Sequence, residues 1–139
     1  MTAALYHAAL VSRAKAAFGK GRLPAPGASV TLDNPLCGDR VTLDVSLQDG
    51  HVAAISHQVR GCLLCEAAAA TIAETCRDKT SAEIRGIIPA IRMLMRDGGA
   101  VPDAWPALEI FTPVHDSKSR RDCVLLPFAA LEQALDQLD

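Results

Sequence analysis

VTLDVSLQDGHVAAISHQV, residues 41–59, is the stretch that decides how this chain folds. Val41, Leu43, Val45 and Leu47 alternate with polar residues, the period of a strand with one buried face. Asp49-Gly50 follows, a dipeptide suited to a two-residue hairpin turn. The chain then returns through Val52, Ile55 and Val59. The stretch reads as a β-hairpin with strands over 41–47 and 51–59.

Upstream, Ser29–Leu32 is a short third β-rich segment, so a small three-stranded antiparallel sheet is expected. Before it, residues 3–18 read as a helix whose partly apolar face carries Leu5, Ala8, Ala9, Leu10 and Ala16. Gly19 and Gly21 end that helix, and Pro24, Pro26 and Gly27 make a loop. Downstream, Cys62–Arg77 is alanine-rich and favours helix. Thr80-Ser81-Ala82-Glu83 is a capping box that opens another helix, with Ile84, Ile87, Ile88, Ile91, Leu94 and Met95 along it. It ends at Asp97-Gly98-Gly99, and Pro89 is expected to bend it. Pro102, Pro106 and Pro113 interrupt the next stretch of chain, leaving a turn or short helix around Trp105–Phe111. A last helix runs from about Arg121 to Leu138, with Leu125, Phe128, Leu131, Leu135 and Leu138 inward. Strands first and helices after is an α+β order, with helices packed on one face of the sheet. Residues 1–139 read as a single domain.

Half of the 139 residues are hydrophobic, so a core forms without help from disulfides. The net charge of −2 gives no general attraction to nucleic acid or to anionic lipid, and aromatics, at 4%, are too few for a base-stacking surface. No apolar run approaches the ~18 residues that a membrane span needs. The N-terminus is apolar first and basic later, the reverse of a secretory signal, so the cytoplasm is the expected compartment.

In that compartment five cysteines, at 37, 62, 65, 76 and 123, point to reduced thiols rather than a disulfide framework. Asn34-Pro35-Leu36-Cys37-Gly38-Asp39-Arg40 lies in the turn between two strands. Cys37 and Asp39 are two apart, so one thiolate and one carboxylate can face the same ion. The hairpin should bring Gly61-Cys62 back to that end. Cys62 then opens a helix, where unpaired N–H groups and the positive end of the dipole favour thiolate. Cys123, after Arg120-Arg121-Asp122, is expected at the start of the last helix, where the same argument applies; Pro127 is placed with it near a helix start. Cys37, Asp39, Cys62 and Cys123 make a four-coordinate set that suits zinc, and thiolate-rich sites also suit iron–sulfur clusters. The intervals of 25 and 61 residues match no zinc-finger spacing. On spacing alone, scattered buried cysteines stay open as the alternative.

These segments carry a resemblance. Asn-Pro-Leu-Cys-Gly-Asp, Gly61-Cys62 leading into an alanine-rich helix, and Cys123 in Arg-Arg-Asp-Cys-Val-Leu-Leu resemble the IscU/SufU family of iron–sulfur assembly proteins, also found as the N-terminal domain of NifU. The element order is similar over residues 3–138. The long interval before Cys123, with an extra segment around 98–115, resembles the SufU type; IscU types carry a His where Asp122 stands. The resemblance implies Zn2+ held by Cys37, Asp39, Cys62 and Cys123, with Cys37 as acceptor of persulfide sulfur from a pyridoxal-phosphate cysteine desulfurase. It implies delivery to downstream assembly or apo-proteins. The alternatives are a non-enzymatic scaffold carrying a labile [2Fe–2S] cluster on Cys37, Cys62 and Cys123, and a zinc-stabilised interaction module without sulfur chemistry.

The remaining polar residues have plainer readings. Cys65, one turn after Cys62, reads as a packed small residue rather than half of a redox pair, and Cys76 as core or helix surface. His7, His51, His57 and His115 read as surface or loop histidines, with His115, beside Asp116 in the loop before Cys123, the one of most interest. Lys118, Arg120 and Arg121 read as a solvated helix start able to dock an acidic partner, Arg40 as a neighbour able to steady a thiolate, and Glu66 and Glu74 as solvent-facing.

Overall fold

The computed structural model describes residues 2–36 and 38–139; the predicted sulfur acceptor, Cys37, lies outside the described residues. Strands β1 (Ala28–Asn34), β2 (Asp39–Gln48) and β3 (His51–Arg60) pair antiparallel in the order β1-β2-β3. Asp49 and Gly50 both adopt positive φ (54° and 78°), the turn whose twist matches the strands it joins. The hairpin register sets Val41 opposite Val59 and Val45 opposite Ile55, then shifts between Ser46 and Leu47. That bulge ends the alternation one residue early: Val41, Leu43 and Val45 are fully buried, whereas Leu47 is only half-buried.

Helix α1 (Ala3–Ala16) precedes the sheet. Helices α2 (Leu63–Thr75), α3 (Ser81–Arg85) and α4 (Ile87–Asp97), a 3-10 helix (Pro106–Asp116) and α5 (Lys118–Leu138) follow it. The molecule is α+β, as its segregated element order requires. α5 lies over β1 and β2, while α2 lies against β3 and between α1 and α5. One hydrophobic cluster joins Val41, Leu43 and Val45 to Ala67, Ala68 and Ile72 of α2 and to Phe128, Leu131 and Leu135 of α5. The alanines let α2 approach closely; a larger side chain at the fully buried Ala67 or Ala68 would overpack the core by roughly 1–3 kcal/mol.

The other sheet face is closed by a polar clasp. Asp44 is fully buried there and accepts hydrogen bonds from Arg22 Nε (2.7 Å), Ser29 Oγ (2.6 Å) and the Leu23 N–H (3.0 Å). Burial alone would raise its pKa, but these bonds outweigh it and hold the carboxyl below its ordinary range.

Several boundaries differ from the sequence expectation. α1 stops at Ala16 because Ala17 turns left-handed (φ 48°), and its buried residues are Leu10 and Ala14 while Leu5 is exposed. Thr80 and Glu83 form the expected capping box, but the helix breaks at Gly86 rather than bending at Pro89. Pro89 is the third residue of α4, where an N–H would have no helical partner, so it costs little. α5 begins at Lys118, not Arg121, because Ser117 leaves the 3-10 helix extended and starts a new one directly. The segment after Gly98 is tied back onto α1: Tyr6 Oη donates to Glu109 (2.7 Å) and Arg13 to the Ala107 carbonyl (2.8 Å). Among the described residues no helix is long and apolar enough to cross a membrane.

Candidate metal centre

The hairpin builds the site at its open end. Asp39 is the first residue of β2 and Arg40 pairs with Arg60 at the end of β3, so Gly61-Cys62 comes level with Asp39. Asp39 shares the parity of Val41 and therefore faces the helices, almost fully buried (2% exposed). A Cβ on Gly61 would overlap the Asp39 carboxylate, so the glycine is what lets strand and carboxylate pass. Cys62 is the N-cap of α2 in extended conformation, and its own side chain makes no capping bond. Its N–H instead donates to Asp39 Oδ1 at 3.1 Å, which places the carboxylate at the positive end of α2. Cys62 Sγ lies 3.9 Å from Asp39 Oδ2.

The third side chain comes from α5. Cys123 is buried and, with α5 starting at Lys118, sits in the second turn rather than at the helix start. The dipole argument made for it from sequence therefore weakens, because the effect fades within the first turn. Pro127 is likewise a helix-interior proline, removing the N–H that would meet the Cys123 carbonyl. Donor atoms of Asp39, Cys62 and Cys123 all lie within 4.8 Å of one another. A tetrahedral site with metal–sulfur bonds of ~2.3 Å has ligand edges of roughly 3.8 Å, so the set fits a metal after a small contraction. The three face an open cleft of about 380 Å³ rimmed by His7, Ser119 and Arg120.

Of the four donors read from sequence, these three converge. The turn flanking Cys37 is held by Leu36 and Gly38 N–H groups donating to the Asn34 side chain (3.2 Å) and carbonyl (2.8 Å), and Leu36 is 90% exposed. Cys65 and Cys76 stand apart from the cluster, fully buried. Burial, then the nearby charges of Asp39 and Cys62, pushes the Cys65 thiol far above its ordinary range, and burial pushes Cys76 up to about 11. Arg40 does not reach the cleft: it lies on the opposite strand face, paired with Asp33 at 2.7 Å. Asp122 lines a separate groove with Asn34, Pro35 and Leu125. Arg121 donates to the His115 carbonyl (3.0 Å), leaving Arg120 as the cation at the cleft.

One histidine, His57, departs from the surface reading, and His7, exposed as expected, is placed at the site. His7 stands on the rim of the metal cleft, one turn before Leu10, which lines it too; that helical spacing was the only sequence signal. His57 is 3% exposed, because the register of β3 turns it toward α1 and α2. His115 is half-buried, with Nδ1 on the Thr112 carbonyl (2.9 Å) and Nε2 3.1 Å from Asp116.

Comparison with known proteins places this arrangement. Residues 6–104 match the NifU-like N terminal domain, and the chain belongs to that family. The solved N-terminal part of a nitrogen-fixing NifU-like protein from Brucella abortus is 28% identical, with a TM-score of 0.87 over 94% of this chain and 91% of that one. The structure of a putative iron–sulfur cluster assembly scaffold protein for the SUF system, from Fervidobacterium Islandicum AW-1, superposes with a TM-score of 0.85 over 96% of this chain and 99% of that one; at 21% identity it shows the shared fold. An uncharacterized protein of Borreliella burgdorferi is 24% identical over 100 residues, 72% of this chain and 69% of that protein. The family match ends before Cys123, which joins the site through the packing of α5.

Proposed function

Taking membership of the NifU-like N-terminal domain family as the premise, we propose that this protein serves iron–sulfur cluster assembly as a zinc-binding sulfur acceptor of the SufU type. The observation that carries the reading is the convergence of Asp39, Cys62 and Cys123 from a strand, a helix cap and a distant helix. With Cys37, two residues before Asp39, they form the proposed ligand set, and three thiolates with one carboxylate are donors zinc accepts. Zinc, when bound, keeps such thiols deprotonated at neutral pH.

The chain's own residues divide the work. Asp39 is pre-positioned by the Cys62 N–H and by burial, so it needs no reordering to act as a ligand. Cys37 is the proposed acceptor, two residues before Asp39 in the Asn-Pro-Leu-Cys-Gly-Asp segment. Its thiolate attacks the terminal sulfur of a persulfide on a pyridoxal-phosphate cysteine desulfurase. A new S–S bond forms as the donor's S–S bond breaks, and the donor cysteine leaves as thiolate with the bonding pair. The proton stays on the transferred sulfur, and nothing is oxidised overall. The segment between Gly98 and Asp116 and the placement of Asp122 outside the cleft both support the SufU type. A second reading, assembly of a labile [2Fe–2S] cluster as scaffold, is favoured by the open cleft between the donors.

One experiment separates them. The purified protein is assayed for metal and mixed with a cysteine desulfurase and cysteine. Tightly held zinc with faster alanine production supports sulfur transfer, and a Cys37→Ser variant that still took up persulfide at the normal rate would refute the acceptor assignment. A coloured cluster formed on adding iron supports the scaffold. Neither response leaves an interaction module without sulfur chemistry.

A further inference from the structure

The two edges of the sheet differ. β3 is closed: the Gly21 N–H donates to the His57 carbonyl (2.8 Å) and the His57 N–H to the Gly19 carbonyl (3.0 Å). Further along, Val52 donates to the Lys79 carbonyl (2.9 Å) and accepts from the Asp78 N–H (3.1 Å). β1 has no such cover. Because His57 gives its backbone groups to Gly19 and Gly21, its β2 partner Leu43 turns its own toward Val30. By that alternation Ser29, Thr31 and Asp33 direct their N–H and C=O groups outward, and all three residues are exposed. Among the described residues no backbone group outside the sheet bonds to them. Edge strands are ordinarily guarded by Lys, Pro or a bulge. β1 has no Lys, no Pro and an unbroken register over Ala28–Asn34, and its one charge, Asp33, is tied to Arg40 at 2.7 Å.

We propose that β1 is a dimer interface, pairing antiparallel with β1 of a second copy about a twofold axis at Thr31, so that the two sheets become one. In this register Ser29 faces Asp33 of the second copy and Thr31 faces its own counterpart, and the outward groups exchange about six hydrogen bonds. On the helix side, half-buried Leu32 lies against Val30 of the second copy. On the other side the charges are complementary. Arg22 Nη2 lies 3.3 Å from Ser29 Oγ, and Ser29 stands opposite Asp33 of the second copy, so each Asp33 carboxylate comes near an Arg22 across the axis. α5, which lies over β1, comes alongside its counterpart. There a groove of about 250 Å³, where Leu125, Leu126 and Ala129 border the end of β1, adds apolar area to the contact. This self-complementarity favours a second copy over an unrelated extended peptide. The inference rests on neither the metal centre nor sulfur transfer.

Sedimentation equilibrium of the full chain, from about 1 µM to 1 mM, should show a monomer–dimer equilibrium. Thr31→Pro removes an outward N–H and no bond within the sheet, a placement that edge strands tolerate. It should abolish the dimer while the circular dichroism spectrum stays unchanged. Thr31→Lys keeps the backbone donor but sets two like charges opposite each other on the axis, and should weaken the dimer about tenfold or more. Asp33→Ala should weaken it severalfold at low salt and less at high salt. In amide exchange, Thr31 and Asp33 should slow as concentration rises, while Val52 and His57, bonded within the chain, stay unchanged. A chain that stays monomeric across that range overturns the proposal and leaves the edge to an extended peptide of another protein. A dimer that Thr31→Lys leaves intact, or one whose Thr31 and Asp33 amides exchange at the monomer rate, overturns it as well.

Discussion

Cys62 and Cys65 stand one helical turn apart, yet their surroundings are opposed. Cys62 caps α2 at the mouth of a cleft, beside a carboxylate and across from Cys123. Cys65 is sealed in the core, and Cys76, at the far end of the same helix, is sealed as well. The difference teaches that a Cys-x-x-Cys spacing says little about shared chemistry. Two thiols one turn apart on a helix that packs edge-on can face a cleft and a core, and desolvation then keeps one protonated while the other is open to metal.

The largest expected effect breaks that comparison directly. Cys62→Ser or Cys123→Ser should lower zinc affinity more than about 100-fold, beyond the range of outer-shell changes, while Cys65→Ala and Cys76→Ala keep stoichiometric metal. Chelator competition with elemental analysis reads both. Equal loss across the four variants would erase the distinction.

Next in size is alkaline stability. Below the unfolded thiol pKa of ~8.5, Cys76 is protonated in both states and the full stability is present. As pH rises from there to about 11, the unfolded chain ionises Cys76 while the folded chain does not. Cys76 alone should cost about 3 kcal/mol of stability across that window, and Cys65, which ionises in the unfolded chain from the same pH, should add to the fall and carry it on to higher pH. Between pH 8 and 11 the fall of the denaturant midpoint should become about half as steep in Cys76→Ala, with Cys65 supplying the rest; an unchanged slope would mean that the burial of Cys76 is not felt.

Gly61→Ala should come third, at roughly 1–3 kcal/mol of stability, because its methyl displaces the Asp39 carboxylate. Zinc affinity should drop with it, which a change confined to the strand end would not produce. The smallest effect is expected at Asp122. It lines a different groove from its neighbour Cys123, so Asp122→Asn should leave zinc affinity within roughly twofold. A large loss there would move Asp122 into the site.

Much of this was legible in the chain itself. Alternation from Val41, the Asp49-Gly50 turn, the alanine run after Cys62 and the Thr80 capping box determine the hairpin and the helices, because each is a local preference of backbone and side chain. The α+β order follows from their sequence. Asp39, Cys62 and Cys123, which the fold brings together, were nameable as candidate donors because Asn-Pro-Leu-Cys-Gly-Asp, Gly-Cys and Arg-Arg-Asp-Cys-Val-Leu-Leu are local segments that carry the family resemblance. Tertiary structure decided the rest. The start of α5 at Lys118 moved Cys123 into the second turn, and the break at Gly86 took over from Pro89. The register of β3 buried His57, and strand parity sent Arg40 to Asp33 and Asp39 to the helices. Which thiols share a cleft and which are sealed depends on contacts between residues far apart in sequence, and periodicity along one segment carries no information about the segment packed against it.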